Sequence, residues 1–221
     1  AGRHPVLARR AALTRRRGGV RCDAVWLLVN RLEAGGALDE AAAVSAPQVV
    51  LVCGAKPELS LVENRKHITE GIASLVDHAS KVGVKLSIEP LHPMYADCRS
   101  AVNTIGQCND MLDRIGDEWV GIAADVYHIW WDPTLEQEVK RAGKRIIGFH
   151  VCDWMTPTAD MLNDRGLMGE GCIDNRGIRQ LVETAAGFAD WIEVEVFSTR
   201  HWATDQDDYL EKIISAYKLH V

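Results

Sequence analysis

The strongest constraint on the fold of this chain is a pattern: a short apolar run that closes on an acid or an imidazole. Lys85–Glu89 (K-L-S-I-E) closes on Glu89, Val120–Asp125 (V-G-I-A-A-D) on Asp125, Ile146–His150 (I-I-G-F-H) on His150 and Trp191–Glu195 (W-I-E-V-E) on Glu195. Short apolar runs bounded by polar residues read as buried strands. Segments with helical apolar spacing lie between them, and strand and helix alternating through short connections specify a parallel sheet. In a parallel sheet or barrel the carboxyl ends of the strands share one rim, so side chains distant in sequence converge there.

The same reading extends along the chain. Gln48–Cys53 is a buried strand, and residues 54–60, with Pro57, form a loop. Ser60 followed by Glu63 predicts a capping-box start for a helix. Its apolar face carries Ile68, Ile72, Leu75, Val76 and Ala79, and it ends near Gly83. After the Lys85 strand come a loop with Pro90 and Pro93, a helix over about Ser100–Ile115, the Val120 strand, a helix over about Thr134–Ala142 and the Ile146 strand. Asp153–Gly171 is the longest irregular stretch; helices over about Arg176–Ala186 and Asp207–Ala216 flank the last strand. Asp23–Val29 is either a strand or the start of a helix running on through Arg31–Val44. The count from Gln48 onward is five strands, or six with the Asp23 segment, where a complete (β/α)8 barrel has about eight. The expected fold is therefore an α/β barrel whose first strands are either missing or unrecognisable in the sequence.

The chain has 221 residues, 47% hydrophobic and 25% charged, which is material for one large α/β domain. No apolar stretch approaches the ~20 residues that span a bilayer, so no membrane span is expected. The cysteines, Cys22, Cys53, Cys98, Cys108, Cys152 and Cys172, are scattered without a C-x-x-C pair. This argues against a disulfide framework or zinc finger and fits a reducing, cytoplasmic setting. Cys53 and Cys152 lie within apolar strands, as small buried hydrophobes do. Residues 1–21 hold seven arginines and no acid, which leaves 18 basic against 31 acidic residues elsewhere. An acidic body disfavours nucleic acid as a partner. The domain expectation is an arginine-rich irregular arm over residues 1–22 and a barrel domain over 23–221.

Glu89, Asp125, His150 and Glu195 are the candidate metal ligands, because hard oxygens with one imidazole suit manganese, magnesium or cobalt, with zinc also compatible. Glu193 shares a strand face with Glu195 and is its rival. The Asp153–Gly171 segment follows the His150 strand, and a long loop in a compact domain is commonly functional, so it is read as part of a substrate pocket. Trp130, Trp131 and Trp154 are candidate walls of that pocket, whereas Trp119 and Trp191 are read as core. His67, His78 and His220 are read as helix-surface residues.

I-E-P-L-H-P at 88–93, D-V-Y-H at 125–128, F-H-V-C-D-W at 149–154, R-G-L-M-G-E-G at 165–171 and V-E-V-F-S at 194–198 stand in order. Together, over roughly residues 38–221, they resemble the xylose isomerase-like sugar isomerase/epimerase superfamily. The resemblance implies a TIM barrel. Matched by motif to the ketose epimerases of that superfamily, Glu89, Asp125, His150 and Glu195 would hold one divalent metal ion. His128 and Arg165 would contact substrate, with His92 and Trp154 flanking the same rim.

Moving a proton on a carbon beside a carbonyl needs a base, an acid and a means of holding the enediolate charge. A metal ion meets the last need, and Glu89 and Glu195 would meet the first two. Arg165, through its planar donors, would fix a substrate oxygen, carboxylate or phosphate. The expected function is isomerisation or epimerisation of a small sugar or polyol; the expected partners are that substrate and, as one alternative, further copies of the chain in a homo-oligomer. Loss of hydroxide, as in inosose dehydratases, is the alternative lyase outcome, and a barrel fragment without catalysis is the alternative of another class. Phosphodiester cleavage of the AP endonuclease kind needs further zinc ligands that the motifs do not supply.

Overall fold

The structure is a computed structural model that describes residues 10–16, 19–28 and 31–221, with side chains from residue 36 onward. The chain divides into two compact units, residues 1–103 with 107–122, and residues 104–106 with 123–221.

The first unit opens with strands β1 (Arg10–Arg16) and β2 (Gly19–Leu28), paired antiparallel. These strands occupy part of the stretch expected to be an irregular arm; the remainder, residues 1–9 and 17–18, lies outside the described residues. β2 also resolves the ambiguity over the Asp23 segment in favour of a strand, and helix α1 (Arg31–Ala43) follows it. Then come β3 (Gln48–Val52), helices α2 (Leu61–Ala73) and α3 (Val76–Val82), β4 (Lys85–Ile88), helix α4 (Ile105–Ile115) and β5 (Val120–Asp125). β5 passes into the second unit after Ile122.

Strands β2 to β5 are neighbours in sequence order and pair in parallel, with Val49 opposite both Val25 and Leu86, and Leu86 opposite Val120. Val49, Val50, Leu51, Leu86 and Ile88 are fully buried although they alternate in direction along their strands. Burial on both faces is the mark of parallel strands covered on each side, and it explains why these runs read as continuously apolar.

The capping box forms: the Ser60 side chain accepts from the Glu63 amide while the Glu63 carboxylate accepts from the Ser60 amide at 3.0 Å. The single helix expected from Ser60 to Gly83 is two, broken at Ser74 and Leu75, because the Ser74 hydroxyl turns back to the Gly71 carbonyl at 2.7 Å. Gly83 ends the second with φ 73°, a left-handed conformation that glycine adopts without strain. The helix expected from Ser100 begins only at Ile105. The Ser100 hydroxyl bonds the backbone of Val102, and the Gln107 side chain accepts from the Asn103 amide at 2.8 Å. Such local bonds compete with helix formation.

The second unit takes the end of β5 into helices α5 (Val126–Ile129) and α6 (Leu135–Ala142), then β6 (Ile146–Val151) and the short strands β7 (Asp153–Trp154) and β8 (Arg165–Gly166). Helix α7 (Asn175–Ala185), strand β9 (Ile192–Val194) and helices α8 (Thr199–Trp202) and α9 (Gln206–His220) complete it. β6 pairs in parallel with β9, His150 opposite Glu193. Its core gathers Ala124, Val126, Ile129, Val139, Phe149, Val151 and Val182, all at most 1% exposed.

The segment read as irregular from Asp153 to Gly171 contains an antiparallel ladder, Asp153 opposite Gly166 and Trp154 opposite Arg165. Trp191, read as core, is 42% exposed because it precedes the paired residues of β9, and Trp119 is only half-buried. Cys53 and Cys152 are buried as expected. Among the described residues, no helix is long and apolar enough to cross a membrane.

Candidate metal centre

In the second unit each candidate ligand sits where a strand ends. Asp125 is the last residue of β5 and the N-cap of α5, its Oδ1 accepting from the Tyr127 amide at 2.9 Å. That bond fixes the plane of the carboxylate and leaves Oδ2 for other partners. His150 lies near the end of β6, and Glu195 follows β9 directly, its amide donating to the Val151 carbonyl at 3.0 Å. Asp125, His150 and Glu195 each offer a ligand atom, and these atoms lie within 4.8 Å of one another. Asp125 and His150 are buried, at 0% and 2% exposure.

Buried carboxylates need a compensating cation. Arg165, at the start of β8 and 4% exposed, supplies one. Its Nη1 donates to Asp125 Oδ2 at 2.8 Å and to Glu195 Oε2 at 3.2 Å, and lies 3.8 Å from the buried Cys152 Sγ. Its Nη2 lies 3.3 Å from His128 Nε2, which is itself 3.8 Å from Asp125 Oδ2. The guanidinium carbon stands 4.2 Å from the centroid of the Tyr127 ring and 5.0 Å from that of Phe197. Stacking against aromatic faces fixes the fork beyond what the ion pairs alone would do. Burial by itself would raise the Asp125 carboxyl; the Arg165 guanidinium, followed by His128 and His150, overrides it and holds the pKa at about 2. Asp125 is therefore a carboxylate at any ordinary pH.

The loop that carries Arg165 is organised by two acids the sequence reading left unassigned. Asp153, fully buried, accepts from the amides of Trp154 and Ile173 through Oδ1, both at 2.9 Å, and from the Gly169 amide through Oδ2 at 2.8 Å. Glu170 Oε2 accepts from the Leu167 amide and meets His201 Nε2, each at 2.8 Å. The Trp154 ring packs against Tyr127 and Trp130, at centroid separations of 4.6 and 5.6 Å. Trp131 is half-buried and donates through Nε1 to the His128 carbonyl at 2.8 Å. Tyr127 and Phe197 lie inside the motifs D-V-Y-H and V-E-V-F-S, so their position in those words was the available signal.

Glu89 and His92 belong to the first unit. Glu89 follows β4 directly and is 2% exposed. His92 caps a single 3-10 turn over Pro93–Tyr95, its Nδ1 accepting from the Met94 amide at 3.2 Å, and burial lowers its imidazole pKa.

The donor chemistry suits a cation. Two carboxylates and one imidazole at these separations match the oxygen and nitrogen ligands of magnesium, manganese, cobalt or zinc.

The profile of the family described as xylose isomerase-like TIM barrel matches residues 31–218. Among curated proteins, an inosose isomerase of Bacillus velezensis is 27% identical over 70% of this chain and 57% of its own length. The chain thus spans somewhat more than half of that relative. A crystal structure of a Sinorhizobium meliloti protein is 45% identical with a TM-score of 0.82, over 86% of this chain and 70% of that one. The IOLI protein with a bound zinc atom superposes with a TM-score of 0.71 at 21% identity, over 84% of this chain and 66% of that one. The fold is a TIM barrel, to which the described residues contribute strands β2 to β6 and β9, fewer than the about eight of a complete one. On the profile match and the Sinorhizobium relative together, the chain belongs to the xylose isomerase-like TIM barrel family.

Proposed function

We propose that this chain carries the metal-dependent active site of an isomerase or epimerase acting on a small sugar or polyol. The single observation that supports it most is the convergence of Asp125, His150 and Glu195 within 4.8 Å at three strand ends. Glu89 is proposed as the fourth ligand, on its position directly after β4 and on the motif I-E-P-L-H-P. Two curated relatives named inosose isomerase support including inososes among the candidate substrates. A reducing, cytoplasmic setting is part of this reading, supported by six cysteines scattered without a C-x-x-C pair.

In this reading the bound ion supplies Lewis-acid stabilisation of negative charge on a substrate carbonyl oxygen. Glu195 and Glu89 remove and return the proton on the neighbouring carbon. His128 orients a substrate oxygen, and the Tyr127, Trp130 and Trp154 rings exclude water from one side of the site. His92 is assigned to the substrate side by its motif alone. Return of the proton to the opposite face gives an epimer, and return to the adjacent carbon gives an isomer.

The test is exchange of carbon-bound substrate hydrogen with deuterated water, followed by NMR across a panel of ketoses and inososes with and without manganese. Metal-dependent exchange on at least one substrate, lost in Glu195→Gln, is expected. No exchange on any of them would contradict the proposal, and exchange accompanied by dehydrated product would shift it to lyase chemistry.

A further inference from the structure

Arg165 is joined to two of the proposed metal ligands at once, Asp125 Oδ2 at 2.8 Å and Glu195 Oε2 at 3.2 Å, through the same nitrogen. It is 4% exposed, in a setting where the family likeness alone would place a substrate contact. A guanidinium that donates to a carboxylate oxygen directs charge at the lone pairs a metal ion would use. The Tyr127 and Phe197 faces, at 4.2 and 5.0 Å, hold the guanidinium beside those oxygens. Cys152 and His128 also face it, at 3.8 and 3.3 Å, and neither brings a second permanent positive charge.

We propose that Arg165 is an internal counter-ion that stands in for the metal in the metal-free protein, keeping Asp125 and Glu195 together and competing with the incoming ion for their oxygens. The inference rests on the metal reading above. Its physical content is a negative coupling. Two carboxylates drawn within a few ångströms repel one another, and either Arg165 or a divalent cation relieves that repulsion. Once the ion is bound, its charge duplicates that of Arg165 at the carboxylates and weakens the Arg165 bonds there, which makes the Arg165 Nη groups more available to a substrate. Linkage makes the effect reciprocal: whatever loosens Arg165 from the carboxylates tightens the metal.

The experiment measures manganese affinity by calorimetry on metal-stripped wild type, Arg165→Gln and Arg165→Lys, with the melting temperature of each metal-free protein alongside. Arg165→Gln is expected to melt lower without metal and to bind manganese roughly tenfold more tightly, within the ordinary range of coupling between sites. Arg165→Lys, which keeps a point charge but loses the planar fork and the stacking, is expected to fall between them. Weaker or unchanged manganese affinity in both variants, with wild type binding normally, would overturn the inference and leave the metal reading standing. If wild type itself binds no metal, the metal reading fails first. Should Arg165→Gln not fold, the side-chain nitrogen-15 signals of Arg165 in wild type decide it. They are expected to shift when zinc is added to the metal-free protein, and their constancy in the zinc-saturated protein would contradict the proposal.

Discussion

His201 Nε2 lies 2.8 Å from Glu170 Oε2, with the imidazole 4% exposed and stacked on the Tyr209 ring at 5.3 Å. Arg200 donates to the same carboxylate oxygen at 2.8 Å, so the turn after Arg165 is tied to α8. Burial would raise the Glu170 carboxyl, but the bonds from Arg200 and His201 hold it below its ordinary value. A carboxyl depressed on folding stabilises the protein above its unfolded pKa, about 4.3, and the contribution is lost as pH falls through the folded value. Glu170→Gln is therefore expected to cost about 1 kcal/mol near neutral pH, the scale of a partly exposed pair. The difference from wild type should shrink in acid. Urea unfolding of both proteins across the acid range checks the sign.

Asp153 gives a larger effect because it is fully buried and accepts from the amides of Trp154, Gly169 and Ile173. Asp153→Ala leaves those donors unpaired away from water, and about 3 kcal/mol of stability should be lost. Chemical denaturation measures it, and the loosening of Arg165 should appear separately as a change in tryptophan fluorescence from Trp154.

Gly171 closes the G-E-G turn where a Cβ would overlap the Trp154 carbonyl oxygen and stand 2.6 Å from Asp153 Oδ1. Backbone cannot retreat as a flexible side chain can. Gly171→Ala is expected to destabilise by about 2 kcal/mol, on the scale of overpacking, by thermal or urea unfolding.

Ser60→Ala removes the capping box of α2 without touching the second unit. The expected loss is about 1 kcal/mol in denaturant unfolding, with manganese affinity unchanged.

The strand ends were legible because each run is mostly apolar, Ser87 and Glu193 being interior exceptions, and closes on an ionisable residue. That pattern marks Glu89, Asp125 and His150 in a single sequence, the V-E-V-F-S motif position prefers Glu195 over Glu193, and the structure brings Asp125, His150 and Glu195 together. The split between α2 and α3 was hidden because Ile72, Leu75 and Ala79 keep helical spacing across the break, where the Ser74 hydroxyl bond intervenes. The β7–β8 ladder is two residues long on each side, too short to display alternation. The role of Arg165 was the least legible. Its partners Asp125 and Glu195 lie 40 and 30 residues away, and nothing local marks a guanidinium that folds inward rather than toward a ligand.

Calorimetric titration of metal-stripped protein with manganese decides whether Asp125, His150 and Glu195 belong to one divalent-metal site. One ion should bind per chain and raise the melting temperature, with both effects lost in Asp125→Asn and in His150→Gln. No binding by wild type, or binding of undiminished affinity in those two variants, would contradict a shared site.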